Sequence, residues 1–273
     1  MNVLKFWNTD SFEISSYKYG ISERKNSTYT TSGTDTTGKC LYQYNELGFR
    51  GDSIYKQGFK ILSIGDSNTE GVGLNNNDTW SSRFSNFFSN GVNMNFGTGG
   101  RSNDFISRCL LTYFDLIKPD LVLVMYTSPQ RRELYTKYNT IEPFMPTASW
   151  GYTKETEEGQ HIQKNLIEIQ NDAEDFVNWY KNHLLIKYFL QSKNCNWLWN
   201  GWMLNYKGYD EFNRYDGDYG KFLDYAVDGT HPGILHNRLY SKNLVNHIKL
   251  NFLDYVPINN FKEDANDVHA KLF

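Results

Sequence analysis

Three short apolar runs separated by two helical stretches constrain this chain more than any other feature. The runs are FKILSIG (59–65), VNMNF (92–96) and LVLVMY (121–126). Each is long enough for a buried strand and too short for a core helix. Between the first two lies DTWSSRFSNFFSN (78–90). There Trp80, Phe84, Phe87 and Phe88 recur at helical spacing behind Asp78, a good N-cap. Between the last two lies SNDFISRCLLTYFDLIKPD (102–120), opened by Ser102 or Asn103 and stopped by Pro119. A β-α-β-α-β order with wholly apolar strands implies a parallel sheet covered by helices on both faces. Ligands in such a sheet sit beyond the carboxyl ends of the strands.

The flanking sequence is less regular. Residues 1–57 are polar, and 26–38 are rich in Ser, Thr and Gly. They are expected to be an irregular extension packed on the main domain. The main domain spans 58–254, with loop insertions at 128–160 and 205–227. A long amphipathic helix is expected over 161–193 and a fourth strand over 195–204. A last helix is expected from about Gly233 to Leu253, followed by a tail at 255–273. The hydrophobic share of 39% is enough for one sizeable core. No apolar run approaches the roughly 20 residues of a membrane span.

A net charge of -3 gives no basic excess, so no nucleic-acid partner is expected. Cys40, Cys109 and Cys195 are odd in number and form no CxxC pair. Neither a zinc site nor a disulfide framework is expected, only reduced thiols. The first residues, MNVLKFWNTDSFEISS, contain no apolar signal core, so a cytoplasmic or virion-associated protein without a signal peptide is expected.

Three segments carry chemistry. Gly65-Asp66-Ser67-Asn68-Thr69 directly follows the first strand. A nucleophilic serine needs such a sharp strand-to-helix turn, which exposes the hydroxyl and frees backbone N–H groups. Read alone, the pentapeptide is equally a helix-capping turn. Asp228-Gly229-Thr230-His231-Pro232 sets a carboxylate three residues before a histidine. In one turn Asp228 can hold His231 Nδ1–H and leave Nε2 to face a serine. Alone, it is also a common surface turn. The segment 95–103, NFGTGGRSN, follows the second strand and offers a glycine N–H at a helix start. It lacks the full G-x-G-x-x-G pattern and follows the wrong strand for a dinucleotide loop.

Together these segments resemble the SGNH (GDSL) hydrolase family over most of 58–254. ILSIGDSNTEGVGL is similar to the family's serine block, NFGTGG to its glycine block and DGTHP to its Asp-x-x-His block. NELGFRG (45–51) also resembles a segment that often precedes the serine block. The resemblance implies a flavodoxin-like three-layer α/β sandwich with a parallel sheet of about five strands. It implies Ser67 as nucleophile, His231 as general base and then acid, and Asp228 as the group orienting His231. The N–H groups of Ser67 and Gly100 become oxyanion donors. No metal or cofactor is implied.

One block departs from the family pattern. After the third strand a Gly-x-Asn-Asp segment is expected, but the chain reads MYTSPQRRE (125–133) without Asn. Thr127 or Ser128 falls near that position, and Ser128 is taken as the third donor. Arg131, Arg132 and Glu133 are read first as a solvated charge cluster or local ion pairs, and second as a substrate anion or sugar site. His161, His183, His236, His247 and His269 are read as structural or surface residues. The aromatics of 135–152 and 197–225 fit either packing or a sugar-stacking wall.

The expected activity is ester hydrolysis through an acyl-enzyme. The substrate is a small molecule or a glycan ester, and the group removed is a small acyl such as acetyl. An acyltransferase or thioesterase would use the same triad. A non-catalytic glycan-binding or virion structural module would explain the missing Asn.

Overall fold

Alternation along the central strands sets the layers. In LVLVMY, the side chains of Val122, Val124 and Tyr126 enter one core, and those of Leu121, Leu123 and Met125 enter another. Both faces of the strand are therefore buried, as its continuous apolar character requires.

A computed structural model describes residues 28–32, 39–135, 141–145, 156–201, 214 and 221–251. In chain order it contains β1 (Thr28–Ser32), β2 (Lys39–Gln43), β3 (Arg50–Gly51), β4 (Phe59–Gly65) and the short helix α1 (Ser67–Glu70). A 3-10 turn at Asn76–Asp78 leads to α2 (Trp80–Ser85), β5 (Gly91–Gly97), α3 (Asn103–Ile117) and β6 (Leu121–Tyr126). Then come β7 (Arg132–Tyr135), β8 (Ile141–Phe144), α4 (Glu157–Ile169), α5 (Asp172–Ser192), β9 (Asn196–Gly201) and α6 (Ile234–Asn251).

The main sheet has five strands in the order β3-β5-β4-β6-β9. The β4–β5, β4–β6 and β6–β9 pairs are parallel, and β3 lies antiparallel on β5. The four parallel strands, numbered in their own order, run 2-1-3-4, the doubly wound arrangement of flavodoxin-like folds. On one face α3 and α5 pack through Phe105, Leu110, Phe114, Trp179 and Ile186. On the other, α2 and α6 pack through Trp80, Phe84, Tyr240 and Leu244. The fold is thus a three-layer α/β sandwich.

Local chemistry shifts several expected boundaries. Helix α2 starts one residue later than its sequence suggests. Asp78 ion-pairs with Arg83 at 2.7 Å, and Thr79 caps instead, its Oγ1 accepting from Ser82 N at 3.3 Å. The helix also ends at Ser85, although Phe88 beyond it still joins the core. The long helix expected over 161–193 is two helices. Asn171 breaks it by accepting from the N–H groups of Ala173 and Glu174, at 3.0 and 3.1 Å. Of the described residues of α4 only Gly159 is buried, whereas α5 buries Trp179, His183, Ile186 and Leu190.

His183 is a core residue, its Nδ1 3.1 Å from Tyr126 Oη. Within the segment read as irregular, β1 and β2 form an antiparallel ribbon and β3 joins the sheet edge. Within 128–160, β7 and β8 form a hairpin. Cys40 and Cys109 are buried and Cys195 half-buried, and all three are free thiols. Burial pushes the Cys195 thiol up to about 12. No helix among the described residues is long and apolar enough to cross a membrane. Most of the aromatics of the two insertions, His269 and the tail at 255–273 lie outside the described residues.

Leu123→Ala should remove about 3 kcal/mol of stability by opening a cavity between sheet and helices. Leu185→Ala, at a side chain 43% exposed on α5, should change it by less than about 0.5 kcal/mol. Urea denaturation of both variants measures the contrast.

Candidate active site

The serine sits where a strand becomes a helix at the carboxyl end of the sheet. β4 ends at Gly65, and Asp66 caps α1 by accepting from Asn68 N at 3.0 Å. Ser67 is the first helical residue, 8% exposed. The helix presses onto the end of β5: a Cβ on Gly97 would lie 2.1 Å from Glu70 N. Only glycine permits that approach, which brings the serine and glycine segments together.

Asp66 is fully buried. Its Oδ2 accepts from Thr127 Oγ1 at 2.6 Å and from Arg131 Nη1 at 3.0 Å. The Thr127 hydroxyl is thus committed to the serine loop. Ser128 is buried, and its carbonyl accepts from Arg131 N at 3.2 Å. The expectation of a solvated or local charge cluster at 131–133 is corrected here. Arg131 pairs with Asp66 and Arg132 with Asp175, each at 3.0 Å, and Glu133 with Arg108 at 2.6 Å. Arg131 and Glu133 are buried, and each of the three reaches a partner from a distant stretch of chain. Uncompensated charge cannot be buried at such depth, so each finds a counter-ion.

In the glycine segment the N–H groups of Gly97, Thr98, Gly99 and Arg101 are committed within the protein, and that of Gly100 is not. Gly99 N donates to Glu70 Oε2 at 2.6 Å. Neither Gly100 N–H nor Ser67 N–H donates to any group among the described residues. These two backbone N–H groups follow the carboxyl ends of β4 and β5.

The Asp-x-x-His turn folds as its spacing suggests. His231 Nδ1 lies 2.5 Å from Asp228 Oδ2. Asp228 Oδ1 accepts from the backbone N–H groups of Thr230 and His231, each at 3.1 Å. Burial raises the carboxyl's proton affinity. The hydrogen bonds from His231 and Thr230 outweigh it and hold Asp228 well below the ordinary carboxylate range.

The turn is seated on the serine loop. Val227 N donates to Gly73 O at 3.3 Å, and a Cβ on Gly73 would lie 3.2 Å from Asp228 Oδ1. The hydrogen bonds of the His231 ring go to Asp228 and Thr230, and none reaches Ser67.

NELGFRG was noted in the sequence without a role for its arginine, and in the structure that residue splints this loop. Arg50 Nη1 donates to Glu70 O and Gly71 O, at 2.8 and 2.7 Å. Its Nη2 donates to Leu74 O at 2.8 Å and its Nε to Asn76 Oδ1 at 2.7 Å. Tyr42 stacks on the guanidinium at 4.1 Å and accepts from Gly73 N at 2.6 Å. Cys40 Sγ donates to Gly73 O at 3.0 Å, and Tyr44 Oη to Glu70 Oε1 at 3.1 Å. The arginine in NELGFRG was the available signal.

No protein-family model matches the chain, and no curated protein matches it. In fold it is similar to solved structures. A member of the lipolytic protein G-D-S-L family from Veillonella parvula is 14% identical. The match covers 70% of this chain and 98% of that one, with a TM-score of 0.34. A GDSL-like lipase from Bacteroides thetaiotaomicron is also 14% identical, covering 70% and 88%, with a TM-score of 0.26.

Arg50→Met should destabilise the fold by about 3 kcal/mol, since it removes the guanidinium bonds to three buried carbonyls, of which Gly71 O keeps a second donor in Leu74 N. Its urea midpoint should fall accordingly. Asp228 makes a second prediction. Its folded value lies below its unfolded one, so its stabilising contribution is complete above the ordinary carboxylate range and is lost as pH falls. Between about pH 5 and pH 2 the wild type should lose more stability than Asp228→Asn. Urea midpoints taken across that range decide it.

Proposed function

We propose that the protein is a serine ester hydrolase working through an acyl-enzyme. The observation that carries this reading is the Asp228–His231 pair seated on the serine's own loop. With Nδ1 bound to Asp228, the ring keeps Nε2 for proton transfer. Ser67 Oγ attacks the ester carbonyl as His231 Nε2 takes its proton. The carbonyl oxygen becomes an oxyanion facing the N–H groups of Ser67 and Gly100. Of the two hydroxyls after β6, Ser128 is the third donor, because that of Thr127 already serves Asp66. His231 then protonates the leaving alcohol, and water repeats the sequence to release the acid.

The substrate in this reading is a carbohydrate carrying a small acyl group, such as acetyl. Tyr225 supports it. The ring is 64% exposed on the strand-like bridge that begins three residues before Asp228, where a sugar face can stack. The second reading, a non-catalytic glycan-binding module, draws on the absence of a hydrogen bond between Ser67 and His231. Catalytic hydrogen bonds often tighten only when substrate binds, so the enzyme reading is preferred.

Hydrolysis of p-nitrophenyl esters by wild type and Ser67→Ala tests the proposal. Turnover of the acetate should fall at least about 10³-fold in the variant. Rates that climb steadily with acyl length would remove the small-acyl reading. Acetyl transfer to an added sugar in preference to water would make it a transferase. A folded wild type inert to both esters and fluorophosphonates would leave the binding module.

A further inference from the structure

One guanidinium nitrogen straddles the two peptide segments that carry the uncommitted N–H groups. Arg131 Nη1 donates to Asp66 Oδ2 at 3.0 Å and to Arg101 O at 3.3 Å. Asp66 immediately precedes Ser67, and Arg101 immediately follows Gly100. We propose that Arg131 is a positioning residue that fixes the spacing of the Ser67 and Gly100 donors. The inference rests on the esterase reading for its catalytic consequence and on the geometry alone for the clamp.

The clamp is anchored on every side. Thr127 Oγ1 shares Asp66 Oδ2 with the arginine, and Asp66 Oδ1 holds Asn68 N. Arg131 N donates to Ser128 O at 3.2 Å, and Arg131 O accepts from Asn178 Nδ2 of α5 at 3.2 Å. Asn103, at the start of α3, braces the same loop, donating to Thr127 O at 3.2 Å and accepting from Thr127 N at 3.0 Å. The serine turn, the glycine turn and the loop after β6 therefore move as one unit.

The physical reason for such a unit lies in the oxyanion site. Donors act on a transition state only if they are aimed before the charge develops. Here the third donor is a hydroxyl, which rotates, so two fixed backbone groups carry more of the task. Lysine at 131 keeps the charge beside Asp66. It replaces a planar fork with a point charge that cannot hold both acceptors in one geometry.

The test compares wild type, Arg131→Lys and the charge-free pair Asp66→Asn with Arg131→Met, each checked for folding by thermal unfolding. Backbone amide resonances of Ser67 and Gly100 give a readout that needs no turnover. Both should shift in Arg131→Lys, and kcat for p-nitrophenyl acetate should fall about 10- to 100-fold with KM little changed. The double variant should fold yet show the same kcat loss, because neutrality without the clamp does not aim the donors. Unmoved amides, or a wild-type kcat in folded Arg131→Lys, would overturn the clamp even where Ser67-dependent turnover upholds the esterase. Shifted amides in a protein without Ser67-dependent turnover would support the clamp and overturn the esterase reading.

Discussion

A single buried carboxylate sets the geometry at the carboxyl end of the sheet. Asp66 stands between the strand that delivers the serine and the helix that presents it, with no contact with water. Burying such a group is costly unless opposite charge and hydrogen bonds replace its lost solvation. Here they come from its own helix start, from Thr127 and from Arg131. The demand for compensation is thus what recruits the loop after β6 to the serine turn. The compensating arginine also reaches the glycine turn, because the two turns already meet where Gly97 lets α1 rest on β5.

A second layer of restraint comes from the segment that precedes the sheet. Arg50 lies on the edge strand β3, and its side chain satisfies three carbonyls and one amide of the loop beyond Ser67. Those carbonyls lie at the end of α1 and in the turns beyond it, where the helical bonds run out, and buried carbonyls demand donors. One arginine, with five N–H groups in a fixed fork, meets the demand with few ordered side chains. The ring of Tyr42 over its face softens the loss of hydration.

Much of this was legible before folding was considered. The apolar runs at 59–65 and 121–126 matched β4 and β6, because strands buried on both faces leave no polar positions to blur their limits. The spacing of Asp228 and His231 sufficed to bring them together, because a four-residue turn is a local event. Long-range pairing was not legible. Nothing in RRE at 131–133 says that its charges meet Asp66, Asp175 and Glu133's partner Arg108, since those partners lie 25 to 65 residues away. The break at Asn171 was hidden for a different reason. No Gly or Pro interrupts 161–193, and only the cap hydrogen bonds mark where the first helix gives way to the second.

Gly73 marks a place where three remote parts of the chain converge. Cys40 and Tyr42 bind it from before the sheet, and Val227 and Asp228 cover it from beyond the last strand. One glycine thus ties together segments separated by more than a hundred residues, so the loop beyond Ser67 takes its final form only when the turn at 226–231 has docked on it.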